Sequence, residues 1–293
     1  MLTKGGEIMG TSILSRVIPV NQVTKGGLKM NVYGRPKTGK TVFACTFPKP
    51  LLILGTEDGT QSVKNIAGVN FLRIVGNKSV PVEVKENYVH LDELADLFQE
   101  LTKSDYKTIV LDTASGLQDL VYTDVMGLED TPIMKMLPSK NQNQLYSSRT
   151  RALIRDILKI PKNVVIIAHE KEHIMGRGDD EEQVESSASE MVTPLISSAL
   201  SSAVCRFLFG EVDYICQTFV REEVIERVVE TKNEKRVIQS KGQKIEYCLG
   251  IGPHPIYTRG FRYSSQDPKF KLPDVVVNPT YDKIVKLIQG QSI

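Results

Sequence analysis

The chain has 293 residues, 41% of them hydrophobic and 25% charged, the composition of a folded globular protein with room for one large α/β domain or two small ones. No apolar run approaches the ~20 residues that span a bilayer, and Met1–Gly10 holds no apolar signal core, so no membrane association and a cytoplasmic location are expected. A net charge of +2 says little about partners, and the four scattered cysteines (Cys45, Cys205, Cys216, Cys248) argue for reduced thiols and against a cysteine-based zinc site.

Residues 1–27, with Gly5-Gly6, Gly10 and Gly26-Gly27 and little periodicity, are expected to be a flexible N-terminal arm ahead of one domain covering 28–293. Residues 1–50 carry eight Lys/Arg against the single acidic Glu7. From Leu28 the pattern alternates strand and helix. Leu28–Tyr33 reads as a strand, Thr41–Thr46 as the start of a helix, and Leu51–Leu54 and Asn70–Val75 as strands. His90–Leu101 places Leu91, Leu94, Ala95, Phe98 and Leu101 at helical spacing. Thr108–Leu111 is a buried-type strand closed by Asp112. Asn143–Ile160 is a helix ended by Pro161, and Asn163–Ala168 is an apolar strand ending at His169. Apolar strands separated by helices predict a mainly parallel sheet covered on both faces. The polar stretch Gly176–Glu190, centred on Asp179-Asp180-Glu181-Glu182, is too long for an ordinary connection. Thr193–Phe209 resumes helical character. Asp213–Val220, Val224–Glu230, Lys235–Ile238 and Lys244–Leu249 predict antiparallel β structure, with a turn at Thr231–Glu234. Tyr281–Ile288 closes the pattern as a short amphipathic helix.

Between the first strand and helix stands Gly34-Arg35-Pro36-Lys37-Thr38-Gly39-Lys40-Thr41, the full G-x-x-x-x-G-K-[ST] pattern of a phosphate-binding loop. Its backbone N–H groups can wrap a β-phosphate, with the dipole of the following helix adding to the anion site. Lys40 can reach the β- and γ-phosphates, and the Thr41 hydroxyl can ligate Mg²⁺. Gly34, Arg35, Pro36, Lys37, Thr38, Gly39, Lys40, Thr41 and Val42 are the candidate nucleotide contacts. A second carboxylate is needed for Mg²⁺, normally at the end of a buried strand beside the loop strand, and Asp112 meets that requirement; an Asp there can also cap the next helix. Hydrolysis needs a group that polarises water. Glu57, just past the second strand, is the candidate, with Asp58 as competitor. His169 faces the same sheet edge, either sensing the γ-phosphate or merely capping a strand.

This pattern resembles the RecA-type ATPases: a P-loop with a short helix, a strand ending in Thr-Glu-Asp-Gly, another ending Leu-Asp-Thr-Ala-Ser and a third ending Ala-His-Glu. More narrowly, the chain is similar to the phage single-domain RecA-like ATPases associated with single-strand annealing and recombination. The stretches FPKPLLILGTEDG, SRTRALIRDILKIPKNVVIIAHEKEH and YTRGFRY…LPDVVVNP carry that likeness over about residues 28–290. The resemblance implies an α/β RecA-like P-loop NTPase core with an antiparallel extension, using ATP and Mg²⁺ in a phage or bacterial cytoplasm. It implies Glu57 as the water-activating glutamate and His169 as the γ-phosphate sensor, with 170–191 as a DNA-contacting loop, although that loop is acidic here. It further implies single-stranded DNA, self-association and a single-strand DNA-binding protein as partners. Basic residues as late as Arg259 and Arg262 would reach a neighbouring subunit's site; alternation could equally put them on the wet face of a strand.

Three other readings remain. A P-loop ATPase that moves or remodels a protein partner needs the same nucleotide site. A small-molecule kinase fits poorly with an acidic candidate lid. His169-Glu170-Lys171-Glu172-His173 spells the H-E-x-x-H of zinc peptidases, extended through Gly176 to Asp179, but the β-branched run before it opposes the helix that motif requires. Arg177-Gly178-Asp179 is read as a coincidental tripeptide, and Phe207 and Phe209, near Tyr214, as core rather than a base-stacking platform.

Overall fold

A computed structural model describes residues 26–57, 59–77, 87–128, 138–174, 194–223, 226–231, 234–239, 244–265 and 267–293. The expected arm (but for residues 26 and 27), Asp58 and residues 175–193 of the acidic loop lie outside the described residues, as do the Arg177–Asp179 tripeptide and the peptidase-like extension to Asp179.

The first half alternates as expected: β1 (Lys29–Gly34), α1 (Lys40–Ala44), β2 (Leu51–Gly55), β3 (Val69–Val75), β4 (Tyr88–His90), α2 (Leu94–Lys103), β5 (Thr108–Asp112), α3 (Ala114–Val125), α4 (Lys140–Lys159) and β6 (Asn163–Ile174). Then come β7 (Pro194–Ser198), α5 (Ser202–Glu211), β8 (Tyr214–Glu223), β9 (Glu226–Thr231), β10 (Glu234–Gln239), β11 (Lys244–Gly250), β12 (Gly260–Phe261), β13 (Val275–Val277) and α6 (Tyr281–Ile288).

Local sequence explains the boundaries. Ser139 and Gln142 form a reciprocal capping box that starts α4, and Pro161 follows its end. Thr113 caps α3 by accepting from the Gly116 N–H, and Thr280 caps α6 by accepting from Lys283. Leu94, Phe98 and Leu101 form the buried stripe of α2.

Among the described residues one large sheet runs β13-β11-β8-β1-β6-β5-β2-β3-β4, with β12 beside β8 and β7 beside β6. β8, β1, β6, β5, β2, β3 and β4 pair in parallel, while β11, β12, β13 and β7 join in antiparallel fashion. The fold is α/β, a mainly parallel sheet with helices on both faces and an antiparallel extension toward the C-terminus. One face buries Leu54, Leu111, Ile166, Leu94, Ile154 and Val204 beneath α2 to α5. The other buries Val32, Ile53, Val165, Phe43, Ile284 and Leu287 beneath α1 and α6. Central strands are apolar on both sides because both sides are covered: Leu51–Gly55 is buried throughout.

Four expectations need correction. β5 is not beside β1, because β6 lies between them and pairs with both. β6 does not end at Ala168 but continues to Ile174, since its second half finds a partner in β7. Thr193–Phe209 is not one helix: Pro194–Ser198 is strand β7, and α5 begins only at Ser202. A short apolar run has no period of its own to tell the two apart. Finally, β8 is not purely antiparallel, because it also pairs in parallel with β1 from Met30↔Tyr214 to Gly34↔Thr218. Phe207 and Phe209 pack, partly buried, against the α2–α5 core, whereas Tyr214 belongs to the opposite one.

Candidate nucleotide site

β1 delivers the glycine-rich octet to the edge where the parallel strands end. Gly34 is required there by close approach: a Cβ would stand 2.4 Å from both the carbonyl oxygen and the Oγ1 of Thr218 on β8. Thr38 Oγ1 and Thr218 Oγ1 share a hydrogen bond of 2.7 Å that pins the loop's outer arm to the same strand. Gly39, at φ 84, turns the chain into α1 through the left-handed region.

Lys40 is buried, and its ammonium donates to the carbonyls of Gly34 (2.8 Å) and Arg35 (2.7 Å), which hold it at the mouth of the loop. Burial draws its pKa below the ordinary lysine value, against the pull of Asp112, Glu57 and Glu170. Thr41 Oγ1 donates to Asp112 Oδ2 at 2.7 Å. Burial raises the Asp112 pKa, partly offset by that hydrogen bond. A partly buried carboxylate beside a hydroxyl is an all-oxygen donor pair, the chemistry that suits Mg²⁺. The residues present therefore fit the ion.

Across the cavity, Glu57 Oε1 is held twice: His169 Nε2 lies at 2.9 Å and Thr113 Oγ1 donates at 2.9 Å. The His169 hydrogen bond lowers the Glu57 pKa most, and the same bond raises that of His169. Thr56 joins the strands beneath them. Its Oγ1 accepts from Thr113 N at 3.0 Å, and its own N–H donates to the Asp112 carbonyl at 2.8 Å. Glu57, Asp112, Thr113, His169, Lys40 and Thr41 thus converge on a single cavity of about 700 Å³, a size suited to a mononucleotide.

A second chain of contacts starts at Arg35, whose Nε donates to Glu170 at 3.1 Å. Glu170 also accepts from Gln217 Nε2 at 3.1 Å, and Gln217 Oε1 accepts in turn from Arg259. Arg259 is half-buried and stacks over Tyr257 and Phe219. The structure therefore sets Arg259 inside its own chain, linked to the P-loop through two intermediaries. Arg262 instead pairs with Asp213 at 2.7 Å, before the first residue of β8 and beside Lys29, the start of β1. That is the opposite end of β1 from Gly34, about 17 Å away at strand rise.

The peptidase spelling is carried by strand β6, where positions four apart are separated by about 13 Å along the chain. That spacing does not bring residues 169 and 173 to one metal as a helix would. Sequence reasoning missed Thr56, Gln217, Tyr247 and Asn278. The alternation of Lys244–Leu249 groups Tyr247 with the apolar Ile245 and Leu249 and so points it inward, whereas the structure exposes Ile245 and Tyr247 and buries Glu246; the other three carry no local signal.

No curated relative matches the sequence. Among solved structures the chain is similar to the flagellar accessory protein FlaH from Methanocaldococcus jannaschii, at 9% identity over 77% of each chain with a TM-score of 0.35. It is also similar to the KaiC-like protein PH0186 from Pyrococcus horikoshii OT3, at 10% identity over 87% of this chain and 90% of that one with a TM-score of 0.37. The family model of the AAA domain matches residues 26–241. With the complete P-loop octet on β1 and a mainly parallel sheet behind it, the chain belongs to this AAA domain family and is a P-loop NTPase.

Proposed function

We propose that this chain hydrolyses ATP with Glu57 as the base and couples the reaction to single-stranded DNA in strand annealing or recombination. The convergence of Lys40, the Thr41–Asp112 pair and the Glu57–His169 pair on one cavity supports the hydrolytic part. Lys40 places its charge against the β- and γ-phosphates. Thr41 and Asp112 would hold Mg²⁺, which would supply neutralisation of charge on the phosphate oxygens. Glu57 takes a proton from the water that attacks the γ-phosphorus as the bond to ADP breaks. His169 orients Glu57 and reports the γ-phosphate along β6 to the loop behind it. Self-association, with Arg262 acting on a neighbour's nucleotide, and a single-strand DNA-binding protein as partner complete the reading.

The DNA part rests on the resemblance of the three sequence stretches. A second reading, an ATPase that remodels a protein, is favoured by one observation: Asp179-Asp180-Glu181-Glu182 would repel a phosphate backbone. Steady-state ATP hydrolysis with and without single-stranded DNA separates them. We expect stimulation by DNA that disappears at high salt and complete loss of turnover in Lys40→Ala. No DNA response over a range of lengths would favour the protein-directed reading, and wild-type turnover by Lys40→Ala would overturn the site.

A further inference from the structure

The cavity extends past its phosphate end onto a surface that the motif chemistry does not use. α1 leads away from Thr41 through Val42 toward Thr46. Facing it are Tyr247, from β11, and the turn Asn278-Pro279-Thr280 ahead of α6. Tyr247 and Val42 are 46% and 45% exposed, large apolar surfaces left open on this side of the cavity. The tyrosine ring begins where the phosphate loop ends, since a Cβ on Gly39 would stand 3.1 Å from its Cδ1.

Asn278 adds a polar group beside that ring. It holds a left-handed φ of 46, uncommon outside glycine, and two contacts fix it there. Its N–H donates to the Tyr247 carbonyl at 2.7 Å, and its own carbonyl accepts from Lys283 Nζ at 3.1 Å. With the backbone engaged, the carboxamide is the polar group Asn278 can turn to a ligand in the cavity it lines.

We propose that Tyr247 and Asn278 form a purine-base subsite, the ring stacking on the base and the carboxamide selecting adenine over guanine. The inference deepens the nucleotide reading and rests on it. A carboxamide offers one donor face and one acceptor face, which match the N7 acceptor and the N6 amino donor of adenine; guanine presents two acceptors, N7 and O6, on the same edge. Stacking on an exposed aromatic ring tolerates any base, so the asparagine supplies the choice. Neither residue belongs to the P-loop pattern, and they reach the cavity from an antiparallel strand and a turn.

Equilibrium binding of ATP, GTP and inorganic tripolyphosphate by calorimetry tests this, with melting curves confirming that each variant folds. The wild type should prefer ATP to GTP about tenfold or more. Tyr247→Ala should weaken ATP about tenfold while Tyr247→Phe stays near wild type. Asn278→Gly, which accepts the positive φ, should bring the ATP-to-GTP ratio toward one. Asn278→Asp, which also tolerates that conformation but offers only acceptors, should move the ratio further toward GTP, with its N1 and N2 donors. Unchanged ATP affinity in Tyr247→Ala, or an unchanged ratio in Asn278→Gly, overturns the subsite. Tripolyphosphate keeps the two levels apart. A wild type that binds neither it nor ATP refutes the nucleotide reading and the subsite with it, whereas normal tripolyphosphate binding with no base preference refutes the subsite alone.

Discussion

On the proposed reading Glu57 is the base, and its two hydrogen bonds set its pH behaviour. His169 has its pKa raised by Glu57, so the stabilisation from their pairing is fully present below the ordinary value of 6.5 and is lost as pH rises through the raised one. Glu57 is lowered, so its share is present above the ordinary value of 4.5 and is lost as pH falls through the lowered one. The pair is intact between those two limits, with Lys40 and Asp112 the other charges facing it. If Glu57 is the base, a charged His169 competes with water for its oxygen. Turnover should therefore climb as pH passes the raised His169 value, and His169→Gln should lack that limb; a limb common to both proteins would show that His169 does not restrain the base. Glu57→Gln should bind ATP normally yet lose turnover by about 10²-fold or more, read by comparing calorimetric affinity with single-turnover rates. Gly34→Ala tests the loop itself. Its methyl group would meet the backbone of Thr218, so a loss of about 1–3 kcal/mol in urea unfolding is expected together with lost nucleotide binding.

Among the elements, α6 shows how a late segment supports an early one. Its first N–H, from Tyr281, donates to Thr46 Oγ1 just past α1 at 2.9 Å, and Tyr281 and Phe47 pack with ring centroids 4.9 Å apart. Ile284 and Leu287 are buried against the same core as Phe43. Leu287→Ala should cost about 2–5 kcal/mol, and Thr280→Ala about 1 kcal/mol through its cap. Both would be seen as a lower denaturant midpoint with an unchanged slope. Much at this level could be read from sequence. β2, β5 and the first half of β6 are apolar runs, and each hands a polar residue (Glu57, Asp112, His169) to one sheet edge. α6 was legible because its apolar residues recur at helical spacing. β7 was not, because five residues of mixed character carry no period, and its strand conformation is imposed by pairing with β6. Nor was the position of β6 between β1 and β5, since sheet order is a tertiary choice that no local pattern encodes. Gln217 and Asn278 were hidden for the same reason: their roles depend on which strand or turn lies across from them.

At the scale of the whole molecule the open question is where the second positive charge of the reaction comes from. Arg259 is tied through Gln217 and Glu170 to Arg35 of the P-loop, and Arg262 stands with Asp213 at the far end of β8. From there Arg262 could serve a γ-phosphate only in another subunit. Mixing a Lys40→Ala protein with an Arg262→Ala protein should restore part of the ATPase activity, since one intact composite site can form, and such a finger is worth about 10³–10⁵ in rate. No recovery, alongside a wild type that is fully active as a monomer in sedimentation, would end the idea. The contact between Tyr281 and Thr46 also has a consequence for how the protein is made. Chains emerge from the ribosome at about 5–20 residues per second and fold from the N-terminal side first. The phosphate loop precedes its supports in the chain, yet Thr38 is pinned by Thr218, Gly39 lies against Tyr247, and α1 is held by Tyr281. A nascent chain therefore carries a recognisable P-loop with the walls of its cavity still untranslated, and it gains the finished pocket only once the chain has been made through Tyr281.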